Sequence, residues 1–443
     1  MSVAGPPPRD NPAPYGAIST DRTARAGADP QLAFVRVYTP FAAGYLLSYV
    51  FRTVNAVISP ELTRDLALSP AALGLLTSAY FIAFGAMQIP AGMLLDRYGP
   101  RRVEPAFLLI AGTGSLAFGL ASGESALLLA RGLIGAGVAT CLMAPLKGIA
   151  TWYSADRQAS LSGWMMVAGG VGALLATAPL ELALRFTSWR GVFIALAIAT
   201  YVVAIWMWWQ VPDITRATHG AGWRAQWDGV RLVFRTPRFW WLAPLAAVGM
   251  GGFTALQGLW SVPWMIEVQG FDRAMAARHL LVMSAVTLCG YLFVGTFATG
   301  LARRGITARH LYAAGFALNG AALGTIVLQL PGSYVWWALY GLGSAVNVLG
   351  FTVLAEGFAR EVIGRANTAL NLVMFTGSFL AQWGIGVVAT ATGRMLALDG
   401  ADSLRVAFCI LLALDVLAYA WFAAGWPRHA IARDPALRPS SPV

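Results

Sequence analysis

The sequence predicts an all-α membrane protein of twelve transmembrane helices, arranged as two pseudo-symmetric six-helix bundles with N- and C-termini cytoplasmic. Three observations carry this expectation. Of 443 residues, 58% are hydrophobic and only 12% charged, against about 25% charged in a soluble domain. Apolar runs of about 18 or more residues recur along the chain, each long enough to cross a hydrocarbon core of about 30 Å. The arginines alternate between loops, with about a threefold excess on one face, which the positive-inside rule makes the cytoplasmic one.

Residues 1–36 are rich in proline, glycine and charge and lack an apolar core, so they read as a disordered cytoplasmic tail and not as a signal peptide. The apolar spans of an N-terminal bundle over 37–210 fall at about 37–58, 71–95, 103–121, 126–149, 160–181 and 190–210. In span one, GYLLSYVFRTVNAVIS, the polar residues Tyr45, Ser48, Arg52, Asn55 and Ser59 follow at steps of three and four, which lines one face of a helix. Such a stripe is expected to face a water-filled cavity, where a guanidinium suits a carboxylate or a phosphate. Span two ends in GMLLDRYGPRR, with Gly92, Asp96, Arg97, Gly99, Arg101 and Arg102. Span four holds Arg131 near its start and Lys147, the single lysine of the chain, near its end. Lys147 lies some 20 residues, roughly 30 Å, into that span, close enough to the headgroups to snorkel.

Residues 211–238 form the longest polar stretch between spans and read as a cytoplasmic linker. Its part 222–235 is amphipathic enough to lie on the inner leaflet, with Trp223, Trp227 and Val230 toward lipid; a solvated linker is the alternative. A C-terminal bundle over 239–426 follows, with spans at about 239–265, 277–300, 310–329, 333–356, 367–391 and 404–426, and then a cytoplasmic tail, 427–443. The halves echo each other. Lys147-Gly-x-Ala after span four answers Glu356-Gly-x-Ala after span ten, and Arg97-x-Gly99 answers Arg303-x-Gly305. Internal repeats of this kind are typical of transporters, which hold their substrate between the repeats near mid-bilayer.

The loop after span two resembles the signature G-x-L-x-D-R-x-G-R-[RK] of the major facilitator superfamily, through Gly92, Leu94, Asp96, Arg97, Gly99, Arg101 and Arg102. RGLIG at 131–135 is similar to the family's R-x-x-x-G motif, and SWRGVF at 188–193 to its approach to span six. The six-plus-six layout extends the resemblance to all but the tails. It implies the family's fold and a conformational latch in which Asp96 meets the positive N-terminal end of span eleven. Arg52 in VFRTVN resembles the first-helix arginine with which organophosphate antiporters and anion/cation symporters of this family bind anions.

Ionisable groups inside spans cost about 2.5–3.5 kcal/mol each and mark candidate function. Arg52 is read as the anion contact. Span seven, GMGGFTALQGLWSVPW, has no second arginine, and Gln257 and Trp260 stand in its place, so a monoanionic carboxylate suits the site better than a dianionic phosphate. Tyr80, Trp164 and Trp260 are candidate aromatic walls or simple packing. Lys147 and Glu356 are read as a gate pair between the halves. Asp415, mid-span, carries a proton or makes a local hydrogen bond or subunit contact, and Arg131 is structural or part of coupling. Cys141, Cys289 and Cys409 are too scattered for a disulfide or metal site. No P-loop, metal-ligand spacing or G-x-S-x-G is present, so neither an enzyme nor a cofactor or metal is expected.

The expected function is a secondary transporter that imports a small organic anion with protons by alternating access. An exporter, a drug/proton antiporter or a non-transporting membrane sensor of the same fold stays open; span five, GGVGALLATAPL, misses the antiport signature G-x-x-x-G-P-x-x-G-G. The expected partners are that anion, a proton or other coupling ion and membrane lipids, with no nucleic acid, despite a net charge of +11. A monomer in a bacterial inner (plasma) membrane is expected, the bacterial source from the arginine-for-lysine bias.

Overall fold

A computed structural model describes residues 34–153, 155–212, 231–356, 358 and 360–431. The amphipathic linker residues Trp223, Trp227 and Val230, and nearly all of both tails, lie outside the described residues. The first half of the chain contains α1 (Thr39–Leu66), α2 (Pro70–Tyr98), α3 (Pro100–Leu120), α4 (Glu124–Gly137), α5 (Met143–Trp152), α6 (Ala155–Leu175), α7 (Ala178–Ala183) and α8 (Trp189–Gln210). The second half contains α9 (Pro237–Ala255), α10 (Ser261–Glu267), α11 (Arg273–Arg303), α12 (Ala308–Val327), α13 (Ser333–Ser344), α14 (Leu349–Ala355), α15 (Arg360–Met395) and α16 (Gly400–Ile431). A π-helical turn, Leu256–Trp260, joins α9 to α10, and a 3₁₀ turn, Ala345–Val348, joins α13 to α14.

Ten helical segments among the described residues are long and apolar enough to span a membrane. The spans expected at 126–149 and 160–181 are instead interrupted helices, α4 with α5 and α6 with α7. Proline explains both interruptions. Pro145 has no N–H to give the carbonyl of Cys141, and Pro179 none to give Leu175, so each sits in the first turn of a restarted helix, where that donor is not needed. In the second half Pro263 follows the π turn by three residues, and the extra residue of a π turn relieves the same clash.

Caps fix several other ends. The side chains of Ser69, Ser188 and Asp272 accept from the N–H of Ala72, Gly191 and Met275, which satisfies first-turn donors of α2, α8 and α11. Gly99 joins α2 to α3 at φ +77°, a conformation open to glycine at little cost. Small residues set the helix spacing: a methyl group at Gly135 would overlap the Tyr80 carbonyl, holding α4 on α2.

The two halves meet along α2 and α15. Near the junction 66–70 the seam is tight, with Gly386 against the Pro70 carbonyl and the Ala71 N–H donating to Thr390 Oγ1 at 2.9 Å. It continues through Phe84 and Phe375, with ring centroids 4.4 Å apart, to Asn371 Nδ2 donating to Gln88 Oε1 at 3.2 Å. Beyond that the helices part. A methyl group at Gly92, Gly163 or Gly364 would meet nothing within 4 Å. The halves are thus packed together at the Pro70 end, away from the arginine-rich end that carries Asp96, Lys147 and Glu356.

Candidate functional site

Arg52 lies at the middle of α1, 8% exposed, where α1 crosses the π turn of the other half: a methyl group at Gly258 would lie 3.2 Å from the Arg52 carbonyl. Its guanidinium sits over the rings of Tyr49 (4.7 Å), Phe84 (5.6 Å) and Phe375 (5.8 Å), so both halves supply faces to the cation. Tyr80 makes hydrogen-bond contact with it, while its Nε has no partner. No carboxylate forms an ion pair with Arg52 among the described residues.

The rest of the polar stripe is buried, and most of it is committed to protein. Asn55 Nδ2 donates to Thr77 Oγ1 of α2 at 3.0 Å, leaving Oδ1 unpartnered, and Ser59 bonds back to the Ala56 carbonyl. Ser48 offers its carbonyl to the Tyr80 hydroxyl at 3.4 Å, and Tyr45 touches Tyr49 and Met166. Gln257 Nε2 donates to Ser284 Oγ at 3.2 Å. Trp260 is packed, its indole N–H on the Gln382 carbonyl at 2.8 Å. Tyr80 stands between two cations, since Arg131 lies 5.0 Å from its ring, fully buried with all three nitrogens unpartnered. Trp164 is 61% exposed, so it does not close against Arg52 as a wall.

Three features lie beyond the sequence reading. The cage residues Tyr49, Phe84 and Phe375 are one. Gln382 is another: buried, with both amide atoms unpartnered, it stands near Gly258 and was legible as a polar residue in an apolar span. The third is Glu61, whose Oε1 accepts from Arg273 Nη1 at 2.7 Å, an ion pair between α1 and α11 at the closed end. A cavity of about 560 Å³ opens beside it, lined by Ser59, Leu73, Trp260, Glu267, Thr390 and Arg394. Arg52 does not line it; Trp260 and Ser59 stand on the way.

At the arginine-rich end the two expected gate residues have other partners. Lys147 and Glu356 do not meet in this conformation. Lys147 Nζ donates to Asp96 Oδ1 at 2.6 Å and to the Leu95 carbonyl at 2.8 Å, inside the first half. Glu356 Oε2 accepts from Arg309 Nη2 at 3.0 Å, inside the second. The matched loops thus hold mirrored clasps, one in each half, and each charge finds a partner within its own half. Asp96 is engaged by Lys147 here. Arg97 lies over Tyr98 at 5.1 Å, and Arg101 donates to the Trp208 carbonyl at 3.4 Å. Arg102 follows in the first turn of α3. Asp415 is buried against Gly320 of α12, within the second half.

Ten long apolar helices, a buried cation between two helical halves and an ionic clasp in each half define a multi-pass membrane transporter, not an enzyme. The chain belongs to the Major Facilitator Superfamily, whose profile matches residues 41–382. It is 25% identical over 388 residues to the hexuronate transporter of Escherichia coli K12, covering 79% of this chain and 86% of that one. It is 25% identical over 249 residues to the galacturonate transporter of Dickeya chrysanthemi, covering 52% and 71%. Its fold matches a bacterial homolog of the human lysosomal transporter Spinster, solved inward-facing and unoccupied, at TM-score 0.73 and 20% identity over 94% of this chain and all of that one.

Proposed function

We propose that the protein imports sugar-acid monoanions of the hexuronate class together with protons across a bacterial inner membrane, by alternating access. The observation that carries this is Arg52: a caged guanidinium between the halves with no carboxylate beside it. A buried charge without a counter-ion is costly, and an incoming carboxylate supplies that counter-ion through the two-pronged geometry of arginine. The aromatic faces of Tyr49, Phe84 and Phe375 suit the apolar face of a sugar ring, and the amides of Gln382 and Gln257 suit its hydroxyls. A single arginine favours one negative charge, and relatives that carry hexuronate and galacturonate support the class. On the positive-inside rule the arginine-rich end is the cytoplasmic one.

Counterflow in proteoliposomes tests the reading. Labelled galacturonate or glucuronate should exchange, whereas a membrane sensor would bind without exchange. Arg52→Lys keeps the charge but loses the fork, and should weaken binding by about 1.5–3 kcal/mol, the range of a hydrogen bond to a charged group. Equal affinity in Arg52→Ala, or equal competition by a neutral hexose, would remove the proposal.

A further inference from the structure

We propose that Glu104 is the residue that carries the coupled proton, an assignment resting on the reading of the chain as a proton-coupled sugar-acid transporter. Glu104 is the fifth residue of α3, about 6 Å from its start at 1.5 Å per residue. Despite that position it is 0% exposed, and neither carboxyl oxygen has a hydrogen-bond partner. The site is built closely around it. A methyl group at Gly44 of α1 would lie 2.8 Å from Glu104 Oε1, with Leu108 of α3 and Met207 of α8 at 3.5 and 3.6 Å from the same point. The polar group facing it is the thiol of Cys141, in the break between α4 and α5.

No cation stands within ion-pair reach of Glu104 among the described residues. α2 presents Asp96, which Lys147 of α5 already holds. α4 presents Arg131, which lies over Tyr80. On α3 itself Arg101 reaches the Trp208 carbonyl of α8. From α1 the charge that bears on this place is Arg52, and the Cys141 thiol lies in the field of both Arg52 and Glu104. An ionised carboxylate here would have only the weak thiol donor of Cys141 and no counter-ion, so the packed arrangement favours the neutral acid and the charged form requires water or a rearrangement.

This geometry links the proton to the substrate with a definite sign. Arg52 acts on the same Cys141 thiol that Glu104 faces, and a positive charge on that side favours the ionised form of the acid. An anion bound to Arg52 cancels that field and so favours the protonated form. By linkage, protonation of Glu104 strengthens anion binding by the same factor. Anion and proton therefore bind together, and a monoanion moving with one proton transfers no net charge. Cys141 lies in the break between α4 and α5, where a shift of α5 relative to α4 would admit water to Glu104. Glu104 is a positioning and proton-binding group, not a contact of the sugar acid.

Two measurements decide it. In proteoliposomes with an acidic exterior, labelled galacturonate should accumulate through the wild-type protein and acidify a lumenal pH dye. In Glu104→Gln the ratio of this accumulation to counterflow exchange should fall by about tenfold or more, with loss of the lumenal signal. In weakly buffered solution, at a pH high enough that the free wild-type protein has released the Glu104 proton, galacturonate binding should take up protons, and binding to Glu104→Gln should not. An unchanged ratio, or wild-type proton uptake by Glu104→Gln, would overturn the assignment. If Glu104→Gln fails to exchange, the binding measurement alone decides in the same two directions. Failure of the wild-type protein to exchange any uronate would instead remove the substrate reading on which the assignment rests.

Discussion

Replacing Glu61 by glutamine breaks an ion pair that joins the halves at the closed end. Arg273 donates Nη1 to Glu61 at 2.7 Å and Nη2 to the Val57 carbonyl at 3.2 Å, and the two side chains are 28% and 16% exposed. An exposed pair contributes about 0.2–1 kcal/mol, whereas removing one partner of a buried pair costs about 3–5 kcal/mol. A half-buried pair with one extra backbone bond falls between, at about 2 kcal/mol. At about 1.4 kcal/mol per tenfold, that is roughly a 30-fold shift of the conformational equilibrium toward opening at this end. The assay places spin labels at Arg64→Cys and Leu396→Cys, exposed positions on the two sides of the closed end, after replacement of Cys289 and Cys409. Glu61→Gln and Arg273→Gln should each enlarge the long-distance population, and the exchange Glu61→Arg with Arg273→Glu should restore part of the short one. Identical distance distributions in all four proteins would refute the idea that this pair holds the end closed.

Lys147→Gln and Asp96→Asn should each change the rate of uronate exchange, and a double-mutant cycle should show about 0.5–3 kcal/mol of coupling between them. The same cycle on Lys147 and Glu356 should be additive in this conformation, since their charges are held in separate clasps; strong coupling there would restore the cross-cleft gate. Gly386→Ala drives a methyl group into the Pro70 carbonyl across the seam. It should lengthen the Arg64–Leu396 spin-label distance and lower thermal stability, whereas Gly295→Ala, in open space, should do neither. Equal effects of the two glycine changes would show that the seam is not tight there.

Much of the fold and part of the site were legible in the sequence, because membrane burial is a local demand. A helix in lipid must satisfy its own backbone and cover itself with apolar side chains, so most spans appear as runs. The arginine in the middle of span one stands out against them by its period alone. The interruptions near Pro145 and Pro179 were written in the same letters but hidden, because hydropathy counts side chains and not missing N–H groups.

Partnership was decided elsewhere. Lys147 and Glu356 match in sequence, yet each is paired within its own half, since an ion pair forms with whatever charge packing brings within about 4 Å. Glu104 stands at the edge of the span expected over 103–121, beside Arg101 and Arg102, and carries no pattern of its own; the close approach of α1 at Gly44 is what makes it a buried acid. The aromatic cage of Arg52 draws on three helices, with Tyr49 from α1, Phe84 from α2 and Phe375 from α15. The sequence by itself determined where most of the long apolar helices run and that Arg52 lies within one of them. The tertiary structure alone decided which charges meet and which stay alone, because those distances run between helices far apart in the chain.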